Sequence, residues 1–205
     1  MCSSDLVYIV TNAKFASQFE QWAAHYQSGR PALRFKVVND GSTDDTNKLG
    51  AIGDLLLVLD REKVDDDLIV VAGDNLFNKP LDDFGRYIHS QDCPVLGTYD
   101  VGSLDQARKY GVVDTDATGR IVSFVEKPEK PASTQIGIAL YYYPRKTLPL
   151  IRQYVAEGNN PDQPGRLIQW LYTRTRVNTW PVPGVWFDIG SKETLDEANR
   201  LFSHR

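Results

Sequence analysis

The sequence lacks any apolar run long enough to cross a membrane, and its mean hydropathy is -0.37, so no membrane partner is expected. It also lacks a basic surplus: 23 Lys and Arg against 27 Asp and Glu give a net charge of -4, which argues against a nucleic-acid partner. Its two cysteines, Cys2 and Cys93, have no metal-ligand spacing, so we expect a reducing, cytoplasmic location. The Walker loop, the Gly-x-Gly-x-x-Gly fingerprint and the nucleophile elbow are absent as well.

In the first half of the chain, short β-branched runs alternate with segments of helical apolar spacing. Strands are predicted at Val7–Val10, Arg34–Val38, Leu68–Ala72 and Pro94–Tyr99. Between them we expect a helix capped by Asn12 and ended by Gly29 and Pro31, a second at Ala51–Glu62 and a third at Leu81–Ser90. The continuous apolar run Leu68–Ala72 indicates a strand buried on both faces. The alternation predicts a Rossmann-like α/β fold: a mostly parallel mixed sheet with helices on both faces.

The second half has the pattern of an inserted antiparallel β region. Gly111–Asp114 and Arg120–Val125 flank a turn at Thr118-Gly119, which predicts a hairpin. The remaining predicted elements are a strand at Gln135–Tyr143, helices at Leu148–Glu157 and Arg166–Thr173, a strand ending at Trp186–Gly190 and a helix at Glu193–Phe202. Because no repeat or linker interrupts the pattern, residues 1–205 are predicted to form a single domain.

Two acidic motifs at predicted strand ends are candidates for a metal site. Gly73-Asp74-Asn75 follows the strand Leu68–Ala72, at the end where open α/β sheets bind ligands. Asp188, in Trp186-Phe-Asp-Ile-Gly190, stands at a second strand end. Two carboxylates from distant positions can hold Mg²⁺, whereas each Asp alone is equally well explained as a helix cap or a turn residue. The pairing of Asp74 with Asp188 is therefore a hypothesis at this point.

A third motif, Glu126-Lys127-Pro128, ends a predicted strand. The Glu can accept hydrogen bonds from sugar hydroxyls, and the Lys can neutralise a phosphate. Neighbouring strand residues point to opposite faces, however, so both serve one ligand only where a bulge or turn re-aims one of them. A solvated pair at a strand end is the simpler explanation.

Three further segments have alternative interpretations. The loop Asn39–Thr46 resembles the nucleotide-binding loop of inverting family-two glycosyltransferases, but its residues are also common turn chemistry. Asp65–Asp67 offers the Asp-x-Asp metal motif of those enzymes, yet it precedes its strand, so a solvated turn is favoured. Gly50 and Gly53, at a predicted helix entry, fit either a flat nucleotide base or a plain loop closure.

Taken in order, five motifs resemble the sugar-1-phosphate nucleotidyltransferase family, typified by glucose-1-phosphate thymidylyltransferase. They are Leu49–Asp54, Gly73-Asp74-Asn75, Tyr110-Gly-Val-Val113, Glu126-Lys127-Pro128 and Trp186-Phe-Asp-Ile-Gly190. The resemblance extends over nearly the whole chain from Val7. It implies an Mg²⁺-dependent enzyme that joins a sugar 1-phosphate to the nucleotidyl group of a nucleoside triphosphate and releases pyrophosphate.

The resemblance also implies roles for individual residues. Asp74 and Asp188 would hold Mg²⁺ and, with Lys127, would be the catalytic residues. The substrate-binding residues would be Gly50 and Gly53 by the base, then Asn75, Gly111, Glu126, Lys127 and Gly137. Lys127 would anchor the sugar phosphate, and the strand Ile136–Tyr143 would floor the sugar pocket. Relatives often have Thr-Gly where this chain has Ile136-Gly137.

The N-terminus departs from the family pattern, which opens with a strand, a Gly-x-Gly-Thr-Arg loop and a Pro-Lys pair. Nothing before Val7 matches, so residues 1–6 are expected to be foreign and the first central strand to be missing. A missing central strand would expose a sheet edge and apolar faces. Without the Arg and Lys of the family pattern, binding of a triphosphate would be weaker. We therefore expect a fragment with little activity and low solubility.

The residues leave two other functions open. A glycosyltransferase of related fold would transfer sugar from a nucleotide-sugar without needing free triphosphate. A regulatory subunit would bind a nucleotide-sugar without catalysis. The sequence fixes neither the base nor the sugar nor the oligomeric state, although the family resemblance implies homo-oligomers.

Overall fold

The computed structural model describes residues 6–30 and 32–202, in which the chain forms two compact units. The first unit extends to Asp65 and includes Val155–Gln163; the second contains Asp66–Tyr154 and the chain from Pro164 onward. That a single domain spans residues 1–205 stays a prediction. Residues 1–5 of the segment expected to be foreign, and the predicted helix stop Pro31, lie outside the described residues.

The first unit is built on a parallel strand pair. β1 (Leu6–Thr11) pairs with β2 (Arg34–Asn39) in register from Leu6 opposite Arg34 to Thr11 opposite Asn39. α1 (Ala16–Gln27) connects the strands and packs on β2, and α2 (Ala51–Arg61) packs on β1. Among the described strands, β1 pairs with β2 alone, so its other edge has no strand partner.

The apolar face of α1 is largely exposed. The Asn12 side chain accepts a hydrogen bond from Phe15 N–H (3.2 Å) in the turn before the helix. The N-cap of α1 is Phe15, so the prediction that Asn12 caps this helix is wrong. Trp22 stacks on Tyr26 at 5.0 Å between ring centroids and meets Phe35 edge-on at 5.4 Å. Trp22 is nevertheless 46% exposed. The helical spacing is confirmed, but these aromatic side chains are not part of a closed core.

The second unit contains the remaining elements. In chain order they are β3 (Leu68–Val71), β4 (Asn75–Phe77), α3 (Asp82–Ile88), β5 (Val95–Asp100), α4 (Leu104–Ala107), β6 (Gly111–Thr115), β7 (Ile121–Glu126), β8 (Gln135–Tyr143), α5 (Leu148–Ala156), α6 (Pro164–Leu171), β9 (Asn178–Pro181), β10 (Trp186–Asp188) and α7 (Lys192–Phe202). The last residues of α5 lie in the segment assigned to the first unit.

The main sheet of the second unit is organised around β8. This strand runs antiparallel to β5 on one side and to β3 and β6 on the other. β9 pairs in parallel with β5, so β3, β5 and β9 all run in one direction. β6 and β7 form the predicted antiparallel hairpin. The mixed α/β prediction is confirmed, with an antiparallel strand placed between two parallel ones.

β3 is not the doubly buried strand that the sequence predicts. Its alternate residues Ile69 and Val71 are 54% and 45% exposed, because one face of this strand stays uncovered. Asp67, expected in a solvated turn, accepts hydrogen bonds from the Tyr142 hydroxyl (2.9 Å) and the Arg145 N–H (2.8 Å). It therefore ties the start of β3 to the end of β8.

The core of the second unit lies between the main sheet and its helices. Its members are almost fully buried and include Phe84, Val95, Ile136, Leu140, Trp180 and Trp186. Burial of such side chains is the main favourable contribution to folding. Within residues 6–30 and 32–202, every helix is too short or too polar to cross a bilayer.

Candidate active site

Two short strands bring the predicted acidic motifs together. β4 and β10 pair antiparallel, with Asn75 opposite Asp188. The Ile189 N–H donates to the Asp74 carbonyl oxygen (2.9 Å), which fixes the chain on either side of the pair. Asp74 and Asp188 are therefore neighbours, although they are far apart in the sequence. The structure supports the juxtaposition on which the metal hypothesis depends.

Neither aspartate acts as a helix cap. Asp74 precedes the strand β4 and not a helix. At the second motif Ser191 caps α7: its Oγ accepts from Thr194 N–H (3.2 Å), and Thr194 Oγ1 accepts from Ser191 N–H (3.0 Å). In this reciprocal arrangement the cap of α7 is Ser191 and not Asp188. Capping by Asp74 or by Asp188 is therefore wrong, while a turn role for either residue stays an alternative.

The two carboxylates repel one another. Burial first, and the neighbouring charge of Asp74 second, raise the pKa of Asp188, while a hydrogen bond from Tyr110 and the charge of Lys127 lower it. Asp74 itself is exposed. No group of three or more His, Cys, Asp and Glu in the described part of the chain can hold a metal ion. Two adjacent carboxylates still fit Mg²⁺, which commonly takes one or two protein carboxylates together with water and substrate phosphates.

Asn75 uses its side chain to hold this site in place. Its Nδ2 donates to Asp74 Oδ1 (2.8 Å), and its Oδ1 accepts from the indole N–H of Trp186 (2.7 Å). The predicted substrate-binding role of Asn75 stays a prediction. The structure adds a role in orienting Asp74.

Lys127 has the re-aimed backbone that a joint role with Glu126 requires. Its φ is +46°, a left-handed conformation that costs a non-glycine residue about 1–2 kcal/mol. Its N–H donates to the Tyr110 carbonyl oxygen (3.1 Å), which holds the turn. Burial raises the pKa values of both Asp188 and Glu126, and the charge of Lys127 opposes each rise. One cation thus lies near both predicted subsites.

Glu126, Gly111 and Gly137 lie side by side across three strands. Gly111 of β6 is opposite Glu126 of β7 on one side and opposite Gly137 of β8 on the other. The Phe124 ring fills the space over both glycines, where a Cβ would overlap it at Gly111 and lie 3.2 Å from it at Gly137. These predicted binding residues are therefore brought together, and packing of Phe124 is a second reason for glycine at both positions.

The sequence does not point to Gly165, which completes this cluster. A Cβ at Gly165, in the first turn of α6, would overlap the Glu126 carboxylate. Burial raises the pKa of Glu126, and the nearby Lys127 and Arg166 oppose that rise. A lone glycine beside a proline gives no sequence signal of such a contact. The close approach depends on the tertiary fold.

Gly50 and Gly53 belong to the first unit. Gly50 has φ +78°, and a Cβ there would lie 2.6 Å from Asp162 Cα. Beside them, Asp54 has one carboxylate oxygen, Oδ1, that is buried without a hydrogen-bond partner. Burial and the neighbouring carboxylate of Asp40 raise the pKa of Asp54 to about 6. The positive φ and the close approach to Asp162 both explain why residue 50 is a glycine. The predicted contact of Gly50 with a nucleotide base stays a prediction.

The acidic loop of the first unit is closed by its own side chains. Asp40 Oδ1 accepts from Ser42 N–H (2.7 Å), and Asn47 Oδ1 accepts from Thr43 N–H (3.0 Å). Asp44 Oδ1 accepts from Thr46 N–H (2.8 Å). Such local bonds are the ordinary turn chemistry of Asp and Asn. They favour the loop interpretation over a glycosyltransferase site.

Comparison with known proteins gives a family match and related structures. A family model described as nucleotidyl transferase matches residues 3–204. The bifunctional protein GlmU of Methanocaldococcus jannaschii is 24% identical over 196 residues, which cover 96% of this chain and 43% of that protein. The chain thus spans less than half the length of that curated relative.

Solved structures share the fold. A protein from Bacillus anthracis described as a glucose-1-phosphate thymidylyltransferase, in complex with sucrose, superposes with a TM-score of 0.78 at 20% identity, over 97% of this chain and 76% of its own. A UDP-glucose pyrophosphorylase complexed with UDP-glucose gives 0.76 at 19% identity, over 98% and 82%. The family match covers nearly the whole chain and the fold agrees with it. The chain therefore belongs to the nucleotidyl transferase family.

Proposed function

We propose that the protein transfers a nucleotidyl group from a nucleoside triphosphate to a sugar 1-phosphate, giving a nucleotide-sugar and pyrophosphate. The observation that carries the proposal is the juxtaposition of Asp74 and Asp188 near Lys127. Relatives of the same fold are named for glucose 1-phosphate and for UDP-glucose, which supports this substrate class. The proposal includes the Mg²⁺ dependence and the cytoplasmic location expected from the sequence.

The chemistry needs positioned charge more than a protein nucleophile. A phosphate oxygen of the sugar 1-phosphate attacks the α-phosphorus, a new P–O bond forms, and the bond to pyrophosphate breaks. Asp74 and Asp188 would hold Mg²⁺, which when bound neutralises charge on the phosphates. Lys127 would anchor the sugar phosphate, and Glu126 would accept a hydrogen bond from a sugar hydroxyl. Holding the reactants in line is itself a large part of such catalysis.

The test measures pyrophosphate release from combinations of nucleoside triphosphates and sugar 1-phosphates, with and without Mg²⁺. It uses the chain alone, for which little activity is expected, and the chain preceded by a Gly-x-Gly-Thr-Arg segment, in which the variants are compared. We expect Asp74→Asn and Asp188→Asn each to reduce the rate at least a hundredfold. Asp83→Asn, at an exposed residue of α3 that pairs with Arg86, is the matched control. A rate that survives loss of both Asp74 and Asp188 contradicts the metal assignment.

A further inference from the structure

The second unit contains a cavity that the proposed reaction does not use. Its volume is about 460 Å³, within the range of pockets that hold small ligands. Cys93 precedes β5 and Asn178 is the first residue of β9, so the cavity lies where these two parallel strands begin. Asp74 instead follows the end of β3. Because β3, β5 and β9 run in one direction, the cavity is at the opposite end of the sheet from Asp74.

Arg176 brings a fixed positive charge to this cavity. Its Nε donates to Asn178 Oδ1 (2.8 Å), and its Nη2 donates to Thr118 Oγ1 (3.4 Å). Asn178 is itself 5% exposed and donates from Nδ2 to Gln91 Oε1 (2.7 Å). Both acceptors of Arg176 are neutral, and among the described residues no ion pair includes it. The guanidinium is therefore oriented while its charge is not neutralised.

Lys146 supplies a second cation. Its Nζ lies 2.5 Å from Asp92 Oδ1, and the two side chains are 58% and 91% exposed. Exposed ion pairs of this kind are weak, because water screens the charges and the side chains lose entropy on pairing. An anion can therefore compete with Asp92 for Lys146. Two cations and one carboxylate give the cavity lining a net charge of +1, in a chain whose net charge is -4.

The other side chains of the lining do not repel an anion. Burial raises the pKa of the Cys93 thiol, although the charge of Arg176 opposes the rise, so the sulfur is not a thiolate at neutral pH. Thr175 and Gln91 add a hydroxyl and an amide, which can donate hydrogen bonds. The lining thus combines positive charge with neutral donors.

A guanidinium presents its N–H groups in a planar fork that fits the oxygens of a phosphate, and an ammonium adds a point charge. We propose that this cavity binds the phosphate group of a small molecule, between Arg176 and Lys146. The volume leaves room for the organic part of such a ligand beside its phosphate. This site is independent of nucleotidyl transfer, since none of its lining residues belongs to the candidate active site.

The alternative is that Arg176 only fastens the turn at Thr118 to β9. In that case Arg176→Gln lowers stability and leaves phosphate binding unchanged. Lys146→Gln is the second variant: its exposed side chain pairs with the exposed Asp92, so the fold should be kept. The matched controls remove one exposed cation elsewhere in the second unit. They are Arg200→Gln, in α7, and Lys109→Gln, whose Nζ donates to Gln106 Oε1 (3.2 Å).

The experiment titrates the ¹⁵N-labelled chain with inorganic phosphate at constant pH and ionic strength and follows the backbone amides by NMR. The amides of Cys93, Lys146 and Arg176 should shift saturably with phosphate and not with sodium chloride. Glycerol 3-phosphate should shift the same amides, and glycerol should not. Arg176→Gln should weaken phosphate binding about tenfold, because it removes charge-assisted hydrogen bonds. Lys146→Gln should weaken it about threefold, and both controls should bind like the wild type.

Each result supports or overturns the inference. Saturable shifts that both variants weaken, and that the controls retain, support it. Absence of saturable shifts at these amides overturns it, and so does unchanged phosphate binding in Arg176→Gln and Lys146→Gln. A response to phosphate but not to glycerol 3-phosphate overturns the assignment to a phosphorylated small molecule.

The proposed function is tested separately. Phosphate that shifts only the amides of Gly111 and Lys127 reports the candidate active site and overturns the inference about the cavity. Pyrophosphate release without phosphate binding at the cavity leaves the proposed function standing. Phosphate binding at the cavity of a chain that releases no pyrophosphate leaves the inference standing.

Discussion

The carboxylate of Glu126 lies against the backbone of Gly165, so closely that a Cβ at residue 165 would overlap Glu126 Oε2. Gly165 is the second residue of the helix α6, where helix propensity favours alanine by less than the roughly 1 kcal/mol of a helix interior. A glycine is found there although helix propensity favours alanine, and it leaves room for the acid. The position of the predicted sugar-binding carboxylate of Glu126 therefore depends on the absence of a side chain at residue 165 in α6.

Gly165→Ala should displace the Glu126 carboxylate and raise the KM for the sugar 1-phosphate, by roughly tenfold for loss of one charged hydrogen bond. Its free energy of unfolding should change little, because the helix-propensity gain is offset by the overlap. Steady-state kinetics and urea denaturation measure the two effects.

The control for Gly165→Ala is Gly85→Ala. Gly85 lies in the helix α3, and nothing is within 4 Å of a Cβ built there. This variant should be more stable than the wild type by up to about 1 kcal/mol, with unchanged KM. If Gly165→Ala stabilises the protein as much as Gly85→Ala does and leaves KM unaltered, Glu126 is not confined by Gly165.

Two lysines have left-handed backbones, Lys127 with φ +46° and Lys63 with φ +52°. Glycine at either position relieves strain, so Lys127→Gly and Lys63→Gly should each stabilise the fold by about 0.5–1 kcal/mol. Only Lys127→Gly should abolish nucleotidyl transfer, because only Lys127 lies beside Asp188 and Glu126. Chemical denaturation and pyrophosphate release compare the pair. Equal activity in both variants would remove Lys127 from the site.

Asp54 should make stability depend on pH. Its pKa is about 6 in the folded chain, against 3.8 as the ordinary value, so the folded state binds the extra proton. Between these values stability falls as pH rises, and above about pH 6 the whole penalty of a charged Asp54 is present. Asp54→Asn should therefore raise the melting temperature at pH 8 and flatten its pH dependence between pH 4 and 6. Melting curves at several pH values measure this.

The control for Asp54→Asn is Asp44→Asn. Hydrogen bonds from Thr46 lower the pKa of Asp44, so its contribution has the opposite sign and is lost as pH falls. A stability profile that Asp54→Asn leaves unchanged would contradict the raised pKa of Asp54.

Asp67 should matter more than its solvated sequence context suggests. Removing the acceptor of two hydrogen bonds, in Asp67→Ala, should cost about 1–3 kcal/mol. Tyr142→Phe should cost about 1 kcal/mol, and the double variant should show coupling. Asp66→Ala, which removes only an acceptor for the next N–H, is the control. Urea denaturation that shows equal losses for Asp66→Ala and Asp67→Ala would reject the link between β3 and β8.

Local sequence signals predict the hairpin and β8 well. The turn Thr118-Gly119 joins β6 to β7, and Pro144 ends β8 after Tyr143, as the pattern requires. Both signals are local: a glycine supplies the positive φ, and a proline cannot continue the ladder. Elements whose ends are set by such residues can be predicted without knowledge of the tertiary fold.

The strands β4 and β9 carry no such signal. Asn75–Phe77 and Asn178–Pro181 are too short to show alternation, and each exists through its pairing with a distant strand. β3 shows the converse, because its apolar run indicates burial on both faces while Ile69 is 54% exposed. Burial depends on what covers a strand, and a local pattern does not contain that information.

At the candidate site, the sequence points to the charged residues and misses what holds them. Asp74, Asp188, Glu126 and Lys127 stand out because acidic and basic side chains at strand ends suggest chemistry. The supporting role of Trp186 and the contact of Gly165 arise from packing between distant segments. An aromatic residue or a glycine has too many ordinary structural uses for its position alone to reveal such a role.

The exposed face of α1 has an optical consequence. Of the four tryptophans of the chain, Trp22 is the one in the first unit, and it is 46% exposed. The other three, Trp170, Trp180 and Trp186, lie in the second unit and are each at most 9% exposed. Trp22 should therefore emit at longer wavelength and be quenched by iodide, while the others emit in the blue and are shielded. The chain thus carries a separate fluorescent reporter in each unit, and one unfolding experiment read at two wavelengths follows both.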